Sequence, residues 1–277
     1  MIAWNRYGKS RIRLVKLDRS ADPHDLVDLT IDVQLEGAFE PVYEGDNRLC
    51  VATDTMKNTV YALARQAPIT HIETFAAALA DHFIGKPAVA AARITVAEHV
   101  WTHLEGGNGR YPHAFHQPGG EHWTAVVTRT NNQPPTTTIQ SGLRDLVVMK
   151  TSNSGFAGFP RDEYTTLPET ADRILATSIT ADWAYRTEVS DFSARSRIRQ
   201  ALLDAFAVHE SRSVQHTLAA MGQRALTACS DIDEITIRLP NKHHLLVDLA
   251  AFGLDNPNEV FVSTGEPYGL IEGTIRR

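Results

Sequence analysis

The sequence predicts an α+β fold built as two antiparallel units in tandem. Stretches of period two alternate with stretches of helical period, and the order strand, strand, helix, helix, strand, strand occurs twice. The chain has 277 residues, a little under two domains at roughly 150 residues each. A chain of that length buries about three quarters of its unfolded surface, so it needs no disulfide or metal staple. Residues 1–137 make the first unit and 138–277 the second.

In the first unit Ile12 and Leu14 alternate with Arg11 and Arg13, a strand pattern. Leu29, Ile31, Val33 and Leu35 then face one way, and Asp28, Thr30, Asp32, Gln34 and Glu36 the other. That alternation gives one buried and one wet face. The period then lengthens: Met56, Val60, Leu63 and Ala64 recur at helical spacing, behind Thr53 and Asp54 as cap residues. Thr70 and Glu73 have the spacing of a capping box before the stripe Ile72, Phe75, Ala76, Leu79 and Phe83, and Gly85 supplies a stop. Strand patterns return at 94–100 and 123–127.

A polar connection at 130–138, with Pro134 and Pro135, leads to the second unit. It opens with a strand at 146–149, followed by a short helix from Pro168 through Leu175. Ile179, Ala181, Trp183 and Tyr185 alternate with Thr180, Asp182, Ala184 and Arg186. Two helices follow, one carrying Ile198, Leu202 and Phe206, the other Val214, Leu218, Met221 and Ala225. Ile235, Ile237 and Leu239 form a strand, and Leu245, Val247 and Leu249 continue the pattern beyond Pro240. Antiparallel sheets with helices on one face leave open edges. Pairing those edges between subunits would close a barrel, so the pattern predicts an oligomer.

Composition narrows the function. Lys and Arg number 27 against 33 Asp and Glu, a net charge of −6, and 43% of residues are hydrophobic. This excludes disorder and argues against nucleic-acid backbone binding, which runs on excess cations. A small anion held by local cations stays open. Cys50 and Cys229 are far apart and make no C-x-x-C pair, as in a reducing compartment. The most apolar stretch, 88–96, is broken by Arg93 and is too short for a membrane helix. Residues 1–9 lack the apolar segment of a secretion signal, and Arg276-Arg277 is no peroxisomal tripeptide. A cytoplasmic protein with no membrane or nucleic-acid partner is expected.

Single residues carry two readings each. His113 and His116 are three apart with His122 nearby, but zinc needs three or four converging ligands, and surface histidines account for the pattern equally. His243 and His244 are adjacent, so on a strand they face opposite ways and only one can serve a site. Thr53-Asp54 reads as a helix cap or a reactive pair, Lys9 as a solvated charge beside the turn residue Gly8, and Asn241 as a turn residue after Pro240. Arg173 on the short helix and Gln215 near a helix start read as surface polar groups. Glycine-rich phosphate loops, G-x-S-x-G and H-E-x-x-H are all absent from the sequence.

Taken together, a series of motifs is more specific. They are YGK at 7–9, VATDTMKNT at 51–59, TSNSGFAGFPRDEYTTL at 151–167, DRIL at 172–175, SVQ at 213–215, LPNKH at 239–243, NEVF at 258–261 and PYGLI at 267–271. In this order, almost end to end, they resemble the urate oxidase (uricase) family. The resemblance implies the tunnelling fold, in which four chains form a barrel-walled tunnel. It also implies oxidation of urate by O2 to 5-hydroxyisourate and hydrogen peroxide, without metal or organic cofactor.

The resemblance further implies a role for each residue. Phe156 stacks on the flat purine, Arg173 holds its carbonyl edge, and Gln215 reads the complementary edge. Val214 and Asp54 act through backbone groups. Thr53 and Lys9 form a catalytic dyad: a threonine hydroxyl alone is a poor base, and a desolvated neighbouring amine draws the proton through it. His243 is the third, proton-exchanging member. Asn241 and Thr53 hold oxygen, then water, above the ring. Lys9, Thr53 and Asp54 come from one subunit of a homotetramer, and Phe156, Arg173, Gln215, Asn241 and His243 from its neighbour. Gly155 and Ala157 beside Phe156, and His244 after His243, depart from the family's bulkier or aromatic choices. Two other classes remain: a metal-assisted cyclohydrolase of the same fold, and a purine-binding protein without turnover.

Overall fold

A computed structural model describes residues 2–107, 109–186 and 189–277. The chain divides into two compact units, Met1–Leu143 with Ala184–Ser193, and Arg144–Trp183 with Ala194–Arg277.

The first unit contains β1 (Tyr7–Asp18), β2 (Asp25–Gly37), the one-turn helix α1 (Glu40–Tyr43), α2 (Thr53–Gln66), α3 (Ile72–Ile84), β3 (Val89–His99), β4 (Thr102–Gly106), β5 (Gly109–His116), β6 (His122–Thr130) and the start of β7 (Thr136–Lys150). Its antiparallel sheet runs β1-β2-β3-β6. Leu29, Ile31, Val33 and Leu35 of β2 are fully buried, as are Met56 and Val60 of α2 and Leu79 and Phe83 of α3. One apolar face of the sheet therefore meets the stripes of two helices. Each such side chain contributes about 1.5–3 kcal/mol relative to exposure.

Three local expectations change in this unit. Asp28 is buried rather than wet: its carboxylate pairs with Arg13 and accepts from the Trp101 indole at 3.0 Å. The pairing is what lets a charge sit inside. The box at Thr70 and Glu73 does not form. His71 caps α3 without a side-chain bond, while Glu73 turns inward, 1% exposed, and accepts from the Ser141 hydroxyl. Between the strands expected at 94–100 and 123–127 the sequence pattern marks no strand, yet residues 109–116 form β5 and pair with β4 as a separate hairpin.

The second unit contains the rest of β7, then β8 (Leu175–Tyr185) as far as Trp183, α4 (Arg195–Val208), α5 (Val214–Ala228), β9 (Ile232–Pro240), β10 (His243–Leu246), β11 (Phe261–Thr264) and β12 (Leu270–Arg276). Its sheet runs β7-β8-β9-β12. Helices α4 and α5 pack together, and α5 lies on β9 and β12. Gly222 of α5 permits that approach, since a Cβ there would meet the Ile275 side chain at 2.6 Å.

Two expectations fail here. Residues 168–174 are not helical: they are irregular apart from the bridge at Thr170, and Leu175 opens β8. Phe156 and Thr170 exchange both backbone hydrogen bonds, at 2.8 and 3.0 Å, which takes the groups a helix would use. Residues 245–249 do not continue the sheet either. Strand β10 pairs with β11, its Leu245 and Leu246 are exposed, and β12 is the strand paired with β9. No helix among the described residues is long and apolar enough to cross a membrane.

Candidate active site

The first unit gathers Lys9, Thr53 and Asp54. Strand β1 is pressed against β2 at Gly8, where a Cβ would lie 1.9 Å from the Val33 carbonyl oxygen. The ladder then shifts register between Lys9 and Ile12. Arg11 takes a left-handed φ of 57° there, and its N–H donates to the Asp32 carboxylate at 2.6 Å. Such a bulge bends the strand and re-aims neighbouring side chains. Lys9 is half-buried beside it.

Thr53 and Asp54 are the first residues of α2, with Ala52 in the cap position and no side-chain cap bond. Both are exposed. Asp54 does not cap the helix: its carboxylate accepts from Lys57 at 2.5 Å and Asn58 at 2.9 Å. Lys57 holds that carboxyl below its ordinary pKa, and the charge of Lys9 adds to the lowering. The Tyr7 hydroxyl accepts from the Val51 N–H at 2.8 Å, and the Tyr7 ring meets Phe39 edge-on, centroids 4.9 Å apart. Burial, helped by the neighbouring Cys50, pushes the Tyr7 phenol up to about 12, against the pull of the Val51 N–H.

The second unit holds its residues on irregular backbone. Phe156 is bridged to Thr170, and its ring stacks on Phe159 at 4.9 Å and 13°. The Arg173 guanidinium carbon lies 5.3 Å from the Phe156 ring centre. Arg173 is half-buried, and burial lowers its pKa, although a guanidinium stays charged. Arg173 sits on irregular backbone just before β8, not on the helix expected from sequence.

Next to Phe156, Gly155 donates to the Ser211 carbonyl at 2.8 Å, and Ser211 donates to the Asn153 carbonyl at 2.9 Å. The buried Ser211 hydroxyl donates to the Ser213 carbonyl at 3.0 Å and accepts from Thr217 at 2.7 Å. Ser213 caps α5 by accepting from the His216 N–H at 3.1 Å. Val214, buried, and Gln215, exposed, are the first residues of that helix. Ser211 thus ties the start of the Gln215 helix to the Phe156 segment. A cavity of about 410 Å³ opens here, lined by Phe156, Asn153, Thr170, Asp172, Ser211 and Arg212 among others, but not by Arg173 or Gln215. The Ser152 hydroxyl and Ser154 N–H hold Asp172 below its ordinary pKa.

Asn241 follows β9; its N–H donates to the Gly269 carbonyl at 2.8 Å, and it is bridged to Thr177. His243 opens β10 opposite Thr264, and the next residue, His244, bonds the Lys242 carbonyl at 3.0 Å. Sequence reasoning passed over Tyr7 and Ser211. For Tyr7 the available signal was its place two residues before Lys9; Ser211 carries no local pattern. His113 lies 3.3 Å from Asp22, and its ring is tilted against that of His24 with centroids 4.1 Å apart. Among the described residues, no group of three or more His, Cys, Asp and Glu is placed to hold a metal.

The uricase family model matches residues 5–128 and 139–272. A uricase of Arthrobacter globiformis is 44% identical over 280 residues, spanning 100% of this chain and 90% of the relative. One of Aspergillus flavus is 37% identical over 290 residues, spanning 98% and 95%. The crystal structure of the Arthrobacter globiformis uricase matches with a TM-score of 0.93 at 44% identity, covering 100% of this chain and 95% of that one. A urate oxidase structure from Bacillus sp. TB-90 matches with a TM-score of 0.86 at 25% identity, covering 99% and 100%. The matches span both units and set the class, an α+β oxidoreductase acting on urate. The chain belongs to the uricase family. Urate oxidation is its activity.

Proposed function

We propose that the chain oxidises urate with O2 and water to 5-hydroxyisourate and hydrogen peroxide, without metal or organic cofactor. Urate gives up two electrons, O2 becomes peroxide, and water supplies the new hydroxyl group. The working form is a cytoplasmic homotetramer of tunnelling-fold chains, each with units 1–137 and 138–277, whose edges pair to close a barrel. Each site takes Lys9, Thr53 and Asp54 from one subunit and Phe156, Val214, Arg173, Gln215, Asn241 and His243 from a neighbour.

The observation that carries this reading is the Arg173 guanidinium over the Phe156 ring, a cation beside a flat apolar face. A flat, electron-rich anion fits that pair by stacking and by paired hydrogen bonds. Gln215 donates and accepts at the purine's far edge, and the backbone amides of Val214 and Asp54 bind it. Thr53 passes the substrate proton to Lys9, and His243 exchanges it onward. Deprotonation raises the electron density of the ring, so it can reduce oxygen directly. Asn241 and Thr53 hold the oxygen and then the water. The exposure of Thr53, Asp54 and Gln215 on the single chain supports a shared site.

The test is chelator-dialysed protein mixed with urate in an oxygen electrode. The reading expects urate loss matched by O2 uptake and peroxide. A folded, oxygenated sample that consumes no O2 overturns it, as does activity that returns only with added metal.

A further inference from the structure

Lys9 and Thr53 stand on different elements, so something must set their spacing. Tyr7 lies two residues before Lys9, and Val51 lies two residues before Thr53. One hydrogen bond joins them, from the Val51 N–H to the Tyr7 hydroxyl at 2.8 Å. On the β1 side there is no slack. The Tyr7 ring is pinned against the fully buried Phe39, and Gly8 touches the Val33 carbonyl so closely that no Cβ fits.

On the other side the bonds that flank Val51 are backbone bonds, from the Cys50 N–H to the Asn47 carbonyl at 2.9 Å and from the Met56 N–H to the Ala52 carbonyl at 3.1 Å. Helix α2 has no side-chain cap, and Cys50 and Ala52 are extended, with ψ of 112° and 135°. The phenol is therefore the side-chain anchor of the segment that delivers Thr53. Its pKa of about 12 leaves it protonated at working pH, which fits an anchor and not a base.

We propose that Tyr7 is a positioning residue whose hydroxyl fixes the distance between Lys9 and Thr53. The inference rests on the reading of that pair as the proton acceptor. Misplacing a reacting group by a fraction of an ångström lowers turnover without touching the contacts that bind substrate.

The experiment compares full-length wild type, Tyr7→Phe, Thr53→Ala and the double variant. It measures kcat, KM, urate affinity without oxygen, and melting temperature. Tyr7→Phe is expected to lower kcat about 10-fold, with KM and anaerobic affinity within about two-fold. In the Thr53→Ala background the same change should do almost nothing further to kcat, because nothing remains to be positioned. A merely structural role would lower the melting temperature and cost the same kcat in both backgrounds; that result overturns the proposal.

Val51→Pro removes the donor and keeps the phenol, and the extended Cys50 suits a following proline. It should reproduce the kcat loss, and it replaces Tyr7→Phe if that variant does not fold. Normal turnover in Tyr7→Phe with turnover lost in Thr53→Ala sinks the Tyr7 role alone. Normal turnover in Thr53→Ala sinks the proton-acceptor reading and the Tyr7 role with it.

Discussion

In the first unit Lys9, Thr53 and Asp54 stand on regular structure, a strand beside a bulge and the first turn of a helix. In the second unit Phe156 and Arg173 stand on backbone outside any named helix or strand, and Phe156 is fixed through its own bridge. The first group is largely exposed and, on the function proposed above, carries the proton transfer. The second is half-buried, with a ring, a guanidinium and a buried hydroxyl network around it. On the proposed function, the contrast is a division of labour. A group that moves a proton tolerates exposure but needs its spacing set, whereas groups that recognise a flat anion need a rigid, partly desolvated wall.

The division is broken or sharpened first by Thr53→Ala, the largest effect expected. General base catalysis is worth about 100-fold or more, so kcat should fall by at least that while KM stays within a few-fold. Next comes Arg173→Ala. Loss of charge-assisted hydrogen bonds should raise KM for urate by roughly 10- to 100-fold and affect kcat less. Steady-state kinetics checks both, and an exchange of the two patterns would break the division.

Stability gives a finer comparison. A Cβ at Gly8 would lie 1.9 Å from a backbone oxygen, and one at Gly155 would lie 2.8 Å from the Ala171 oxygen. Denaturant unfolding should show Gly8→Ala costing about 3 kcal/mol and Gly155→Ala about 1 kcal/mol. Equal costs would mean that the second unit's site is as tightly packed as the strand pair of the first.

The smallest effect is a pH dependence. Burial lowers the pKa of His99 in the first unit and of His209 in the second, and the charges of His216 and Lys150 add to the lowering at His209. An unfolded histidine titrates near 6.5. The unfolded chain therefore binds more protons below that pH, and stability is full above about 6.5 and falls as pH drops toward the native pKa values. Melting temperatures should fall between pH 7 and pH 5.5. His209→Gln should remove part of that dependence; an unchanged pH profile would contradict the assignment.

The same division explains what the sequence reveals. The period-two run through Leu29, Ile31, Val33 and Leu35 and the stripe Ile72 to Phe83 were legible because neighbours along the chain repeat one environment. Glu73 was misread as a capping group because its partner, Ser141, lies 68 positions away. The helix expected from Pro168 fails for a similar reason, since Thr170 gives its backbone bonds to Phe156. Strand β12 was missed because its residues alternate between exposed and half-buried, so no apolar stripe marks it.

Each site residue taken alone reads as an ordinary cap, turn or surface group. Only the ordered set of motifs, through its resemblance to a family, marked them together. Ser211 is held by tertiary hydrogen bonds that leave no local trace, and Tyr7 shows only its place two residues before Lys9.

The central claim is that each working site joins the first unit of one subunit to the second unit of another. The direct measurement is activity at low urate, about the wild-type KM, where Thr53→Ala and Arg173→Ala are both strongly impaired, after the two proteins are co-assembled in equal amounts. Random assembly should leave about a quarter of the sites with both halves intact, and turnover should return toward that fraction of wild type. Mixed assemblies that form and turn over no faster than the separate variants would contradict the claim, because each site would then draw both halves from one chain.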